Sequence, residues 1–64
     1  MKVYNGWVLK IDGAEWTVAG SQKLRGVQSY VLRGAQGVRS IKRDALLAGM
    51  HSKAIEYVTS VVVQ

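Results

Sequence analysis

The stretch Trp7-Val8-Leu9-Lys10-Ile11-Asp12-Gly13-Ala14-Glu15-Trp16-Thr17-Val18 decides the fold class. Trp7, Leu9 and Ile11 alternate with Val8 and Lys10, so an extended chain puts the first three on one face. Asp12-Gly13 follows, a pair that tolerates positive φ and favours the tight turn of a β-hairpin. Beyond it, Trp16 and Val18 again share a face. A two-residue turn sets Leu9 opposite Trp16 and Trp7 opposite Val18. A four-residue turn over Asp12–Glu15 instead sets Ile11 opposite Trp16 and Leu9 opposite Val18. Both registers keep the same residues on one face, so a hairpin is expected under either.

Working outward, Gly20 to Gly26 is polar and bounded by glycines, which predicts an exposed loop. Val27 to Arg33 predicts a strand with Tyr30 and Leu32 on one face and Val27, Ser29 and Val31 on the other. Gly34-Ala35-Gln36-Gly37 predicts a turn, and Val38 to Ile41 its hairpin partner. Alternation is imperfect there, because Ile41 shares a face with Arg39 and Arg43. From Lys42 to Ala48 good helix formers dominate, and Gly49 is the expected stop, giving one or two helical turns. The segment from Lys53 to Gln64 carries two patterns. Leu47, Met50, Ala54, Tyr57 and Val61 recur at helical spacing, which would draw a helix from about Ile41 through Tyr57. Gly49 and the β-branched crowd of Ile55, Val58, Thr59, Val61, Val62 and Val63 favour a strand. A strand is the expectation.

Sixty-four residues make a single domain, residues 1–64. A chain this short buries only roughly 60% of the surface its unfolded form exposes and commonly needs a staple. Cysteine is absent and His51 is the only histidine, so neither disulfides nor the common zinc sites are expected. The hydrophobic fraction of 48% against 20% charged places the chain among globular sequences. No apolar run reaches the length of a membrane span, and the start lacks a signal-peptide pattern; a cytoplasmic protein with no membrane association is expected. Nine basic residues against four acidic give a net charge of +5, an excess that favours anionic neighbours.

The succession of hairpin, glycine-bounded loop, hairpin, short helical turn and final strand resembles the SH3-like small β-barrels. The residues that carry it are Ile11-Asp12-Gly13-Ala14-Glu15-Trp16-Thr17-Val18, Tyr30-Val31-Leu32-Arg33, and Ile41-Lys42-Arg43-Asp44-Ala45-Leu46-Leu47. In that family a helical turn often precedes the last strand, which matches Asp44 to Gly49. The tail is longer and more apolar than a closing strand needs, and the acidic loop and aromatic groove of the peptide-binding SH3 subset are missing. The resemblance implies a mainly β fold, a small barrel of about five strands with a short helical turn before the last. The open alternative is an α+β fold, hairpins plus one C-terminal helix. Such scaffolds bind proteins or nucleic acids. The compact chain is also similar in style to small accessory proteins of phages and other mobile elements, which implies an inhibitor or adaptor.

Nothing in the residues predicts catalysis, a cofactor or a metal. Asp12 and Glu15 flank a turn, where polar residues belong in any case. His51 suits a helix end, where it meets the last carbonyls. The serines sit in no Gly-x-Ser-x-Gly elbow, and Gly34-Ala35-Gln36-Gly37 lacks the ending of a phosphate loop. The charges say more. Arg33, Arg39, Lys42 and Arg43 fall on one hairpin and its exit, and Lys23 and Arg25 lie in the preceding loop. A core without phenylalanine is expected to use both tryptophans, leaving Tyr4 and Tyr57 free to stack.

The first expectation is therefore a non-catalytic module that docks an acidic protein surface through these cations and Tyr4. The second is a nucleic-acid-binding barrel whose basic ribbon tracks phosphates. A third is a homodimer through the C-terminal strand, because Thr59-Ser60-Val61-Val62-Val63 is uncharged, β-prone and unguarded. In the competing view that stretch only closes one barrel.

Overall fold

A computed structural model describes residues 3–61. The chain runs β1 (Trp7–Ile11), β2 (Ala14–Leu24), β3 (Val27–Gly34), β4 (Gly37–Lys42), α1 (Arg43–His51) and β5 (Ile55–Ser60). Each hairpin forms where two residues can reverse the chain. Asp12 and Gly13 sit at φ 51° and 80°, and Arg25 and Gly26 at 52° and 80°. Two successive left-handed residues make the turn whose twist matches that of paired strands. The two-residue register is thus the one adopted: Leu9 lies opposite Trp16 and Ile11 opposite Ala14.

The second of these turns corrects an expectation. Gly20 to Gly26 is no loop, because β2 continues to Leu24 and pairs with β3 down to Leu24 opposite Val27. Every residue from Ser21 to Gln28 is exposed. A ribbon wet on both faces needs no apolar alternation, so its strands are held by backbone hydrogen bonds and the turn, and leave no hydrophobic signal.

All five strands are antiparallel, in the order β4-β3-β2-β1-β5. The fold is mainly β, with one short helix before the last strand, and the α+β alternative falls because Ile55–Ser60 is strand. The expected barrel is not closed: β4 and β5 are the two edges, with no ladder between them among the described residues. Two extra residues bend the sheet. Ala19 is skipped between the pairs Val18–Leu32 and Gly20–Val31, and Val58 between Thr59–Val8 and Tyr57–Leu9. Such bulges kink a strand and increase its twist.

The core occupies one face. Leu9, Val18, Leu32 and Leu46 are fully buried, ringed by Ile11, Trp16, Tyr30 and Ile55. The expected pairs Leu9 with Ile11, Trp16 with Val18, and Tyr30 with Leu32 all point inward. Trp7 does not join them fully and is only half-buried, whereas Val8 is buried on the opposite face.

Helix α1 covers the core through Leu46, and it is longer than one or two turns. Gly49 does not stop it. The chain leaves the helix at Lys53, which takes φ 67°, while the Ser52 and Lys53 amides donate to the Ala48 and Met50 carbonyls at 3.0 and 3.2 Å. The Ser52 hydroxyl caps the Gly49 carbonyl at 3.1 Å. Gly49 has a different duty: a Cβ there would lie 2.5 Å from Ile55 Cδ1 and 2.7 Å from its Cγ1. Only a residue without a side chain lets α1 settle onto β5. Gly34 does the same under Trp16, where a Cβ would lie 2.9 Å from ring carbon Cε3.

Alanine in a helix interior normally gains about 1 kcal/mol over glycine. Here Gly49→Ala is expected to destabilise the domain by about 1–2 kcal/mol through overpacking, read as a lower urea midpoint. In an Ile55→Ala background the obstacle is gone, and the same substitution should become neutral or stabilising. A gain in stability in the wild-type background would contradict the close approach.

Candidate binding surfaces

The cations were expected on one ribbon; the fold distributes them over several places. Cross-strand pairing decides where each goes. Gln28 of β3 lies opposite Lys23, and Ser29 lies opposite Lys42 at the end of β4. Helix α1 begins at the next residue, Arg43. Gln28 and Ser29 are consecutive, so Lys23 and Lys42 leave the sheet on opposite faces; with Arg43 they border from its two sides one open cleft of about 350 Å³, together with Val27, Gln28 and the carboxylate-bearing Asp44. Arg25 sits in the adjoining β2–β3 turn and is exposed. Lys42 occupies the N-cap position of α1 without a side-chain cap bond. Three or four positive charges thus meet one negative charge at this end of the molecule, and an anion arriving there meets a net positive field.

Arg39 is elsewhere. It pairs with Leu32, and so lies on the face that carries the core, where its guanidinium stands 5.3 Å from the centre of the Trp16 ring. That contact covers the rim of the core and engages the cation in a cation–π interaction. Arg33 pairs with Thr17 and Val38, which places it on the opposite face of the sheet. It lines a shallow depression there with Val8, Glu15 and Thr17. The stripe Arg33–Arg39–Lys42–Arg43 is therefore not continuous.

Tyr4 belongs to a cluster that the sequence did not disclose. Its ring lies 5.9 Å from Trp7, and Trp7 meets Tyr57 edge-on at 5.0 Å. Tyr57 shares a hydrogen bond with Ser60. Tyr57 continues into a groove of about 850 Å³ between α1 and β5, lined by Leu47, Met50, Ile55, Lys53 and Glu56 among others. The signal was present in two halves. Leu47 and Met50 stood at helical spacing and Ile55 and Tyr57 at strand spacing, but only the chain reversal at Ser52–Ala54 brings them together.

The carboxylates nearest in sequence stay apart in role: Asp12 is in the turn, and Glu15 lies opposite Lys10. His51 is exposed at the helix end and borders the groove. Among the described residues no three His, Asp or Glu side chains converge, and no helix is long and apolar enough to cross a membrane.

Because Arg39 rests on Trp16, Arg39→Ala should cost about 0.5–1 kcal/mol of stability. Lys23→Ala and Arg43→Ala, at an exposed and a half-buried position outside the core cluster, should stay within about 0.5 kcal/mol of wild type. Urea titrations followed by tryptophan emission separate the two groups, and equal effects at all three positions would remove the Trp16 contact from the account. The chain matches no family model, no curated protein and no solved structure.

Proposed function

We propose that this protein is a non-catalytic binding module whose cationic cleft docks an acidic surface on a protein partner, in the manner of a small inhibitor or adaptor. The observation that carries the reading is the convergence of Lys23, Lys42 and Arg43 on one cleft, beside Arg25. The strand order also suits the resemblance to SH3-like small β folds, scaffolds that serve binding.

The separation of the cations from the exposed aromatics favours a protein over a single-stranded nucleic acid. Binding of single strands interleaves cations with aromatic stacking platforms. Here the exposed aromatics, Tyr4 and Tyr57, come from the segment before β1 and from β5, and the cleft from the β2–β3 turn and the β4–α1 junction. One feature favours nucleic acid as a second reading: the β2–β3 ribbon is wet on both faces and carries Lys23 and Arg25 near its tip. A two-stranded ribbon of that kind fits a DNA major groove.

Titrating the labelled protein with a short Asp/Glu-rich peptide, a DNA duplex and a DNA single strand tests the choice. The peptide is expected to bind, with Lys42→Ala and Arg43→Ala each weakening it about three- to tenfold and Arg33→Ala leaving it unchanged. Tight duplex binding whose salt slope falls by about one with each lost cation would overturn the protein reading in favour of DNA. Indifference of every ligand to these substitutions would remove the cleft from either role.

A further inference from the structure

Strand β4 is an open edge. Among the described residues it pairs with β3 alone, and that ladder runs from Gly34–Gly37 to Ser29–Lys42 without a shift in register. In an antiparallel pair every second residue directs its N–H and C=O toward the partner strand, and the next directs them away. The outer side of Gly37–Lys42 therefore offers a row of donors and acceptors that β3 does not use. Five of its six residues are exposed and Ile41 is half-buried, so α1 leaves the row open. Exposed, regular and without proline, the edge has the features that accept an added strand.

We propose that β4 takes an extended acidic segment of a protein partner as a sixth strand. The inference rests on the acidic-partner reading above and gives the partner's segment its conformation. Charge decides between the two edges. β4 carries Arg39 and Lys42 and no acid, whereas β5 carries Glu56 and no cation and is bulged at Val58. An acidic strand is attracted to the first and repelled by the second. A second copy of β4 brings only more cations, which disfavours self-pairing along this edge. Arg39 stacks on Trp16 and stays exposed, and a stacked guanidinium keeps its donor fork for a carboxylate.

The spacing of the cations sets a pattern on the partner. Arg39 lies opposite Leu32, on the core side of the sheet, and Lys42 opposite Ser29, on the other side. Two acids separated by two residues fall on opposite faces of an added strand in the same way, and so meet both cations. Two acids separated by one residue share a face and meet only one. Beyond Lys42 the segment reaches Arg43 and the cleft. Self-association was expected instead from Thr59 to Val63, of which Val62 and Val63 lie outside the described residues; strand addition at β4 uses none of that stretch.

Short Thr/Val peptides carrying two Glu separated by two residues test the assignment, titrated into the labelled full chain. One is unmodified, and two are N-methylated on one or the other set of alternate amides. The unmodified peptide is expected to bind, and Arg39→Ala to weaken it about threefold. Only one of the methylated peptides should lose affinity, by about tenfold or more, because an added strand uses every second amide. Moving the Glu residues to a separation of one should weaken binding about threefold. Hydrogen–deuterium exchange should show new protection over Gly37–Lys42 when the peptide is bound. Equal binding by both methylated peptides, with sensitivity to Lys42→Ala intact, overturns strand addition and leaves the acidic-partner reading standing. Failure of every acidic peptide to bind overturns both. Protection of β4 that rises with the concentration of the protein alone gives the edge to another copy and also overturns the proposal.

Discussion

Strand β2 is the member on which the rest of the structure depends, because it is the only strand shared by the two halves of the sheet. Its first residues pair with β1 and its later ones with β3, and Thr17 alone is paired on both sides. A flat strand in that position would leave the apolar face too broad for one short helix to cover. The extra residue at Ala19 turns the chain between the two ladders, and the increased twist that accompanies a bulge lets Leu9 and Ile11 from one half face Tyr30 and Leu32 from the other. Trp16 and Val18, on either side of Thr17, fill the space between. Helix α1 then covers what remains, through Leu46 and the bare backbone at Gly49.

From that frame the surface chemistry follows. The same strand that organises the core runs on past it, carrying Lys23 and Arg25 out to where β4 ends and α1 begins. The cations at this end are neighbours because strands pair, although Lys23 and Lys42 are far apart in sequence. Across the sheet, β1 and β5 leave aromatic and aliphatic side chains half in water. Sheet order keeps the two surfaces apart, the cations of the cleft at one end of the domain and the exposed aromatic side chains beside β1 and β5.

Where burial writes a period into the residues, the sequence was readable. Trp7 to Val18 announced its hairpin because Leu9, Ile11, Trp16 and Val18 must all face the core and Asp12-Gly13 must reverse the chain. The strand character of Ile55–Ser60 was legible for a related reason: β-branched residues crowd a helix and suit a pleated sheet. Where no burial is required, nothing was written. Ser21-Gln22-Lys23 forms a strand wet on both faces and therefore looks like loop. Gly49 misled for a different reason, since a glycine that ends a helix and one that lets another chain approach are the same residue in sequence. The cationic site was half legible. Lys23, Arg25, Lys42 and Arg43 were on the page, but pleat parity sends Arg33 to one face and Arg39 to the other, and only the register reveals it. Trp7 was assigned to the core by its alternation with Leu9, yet β5 ends beside it and leaves its edge to Tyr4 and Tyr57.

The account rests on β2 running as a paired strand to Leu24, since that continuation builds the cationic cleft and divides the charged surface from the apolar one. Hydrogen–deuterium exchange over Ser21–Leu24 measures this directly. An antiparallel ladder protects alternate amides, so every second amide of the segment should exchange well below the rate of an unstructured peptide. Exchange of the whole segment at that unstructured rate would return Gly20–Gly26 to a loop and contradict the account.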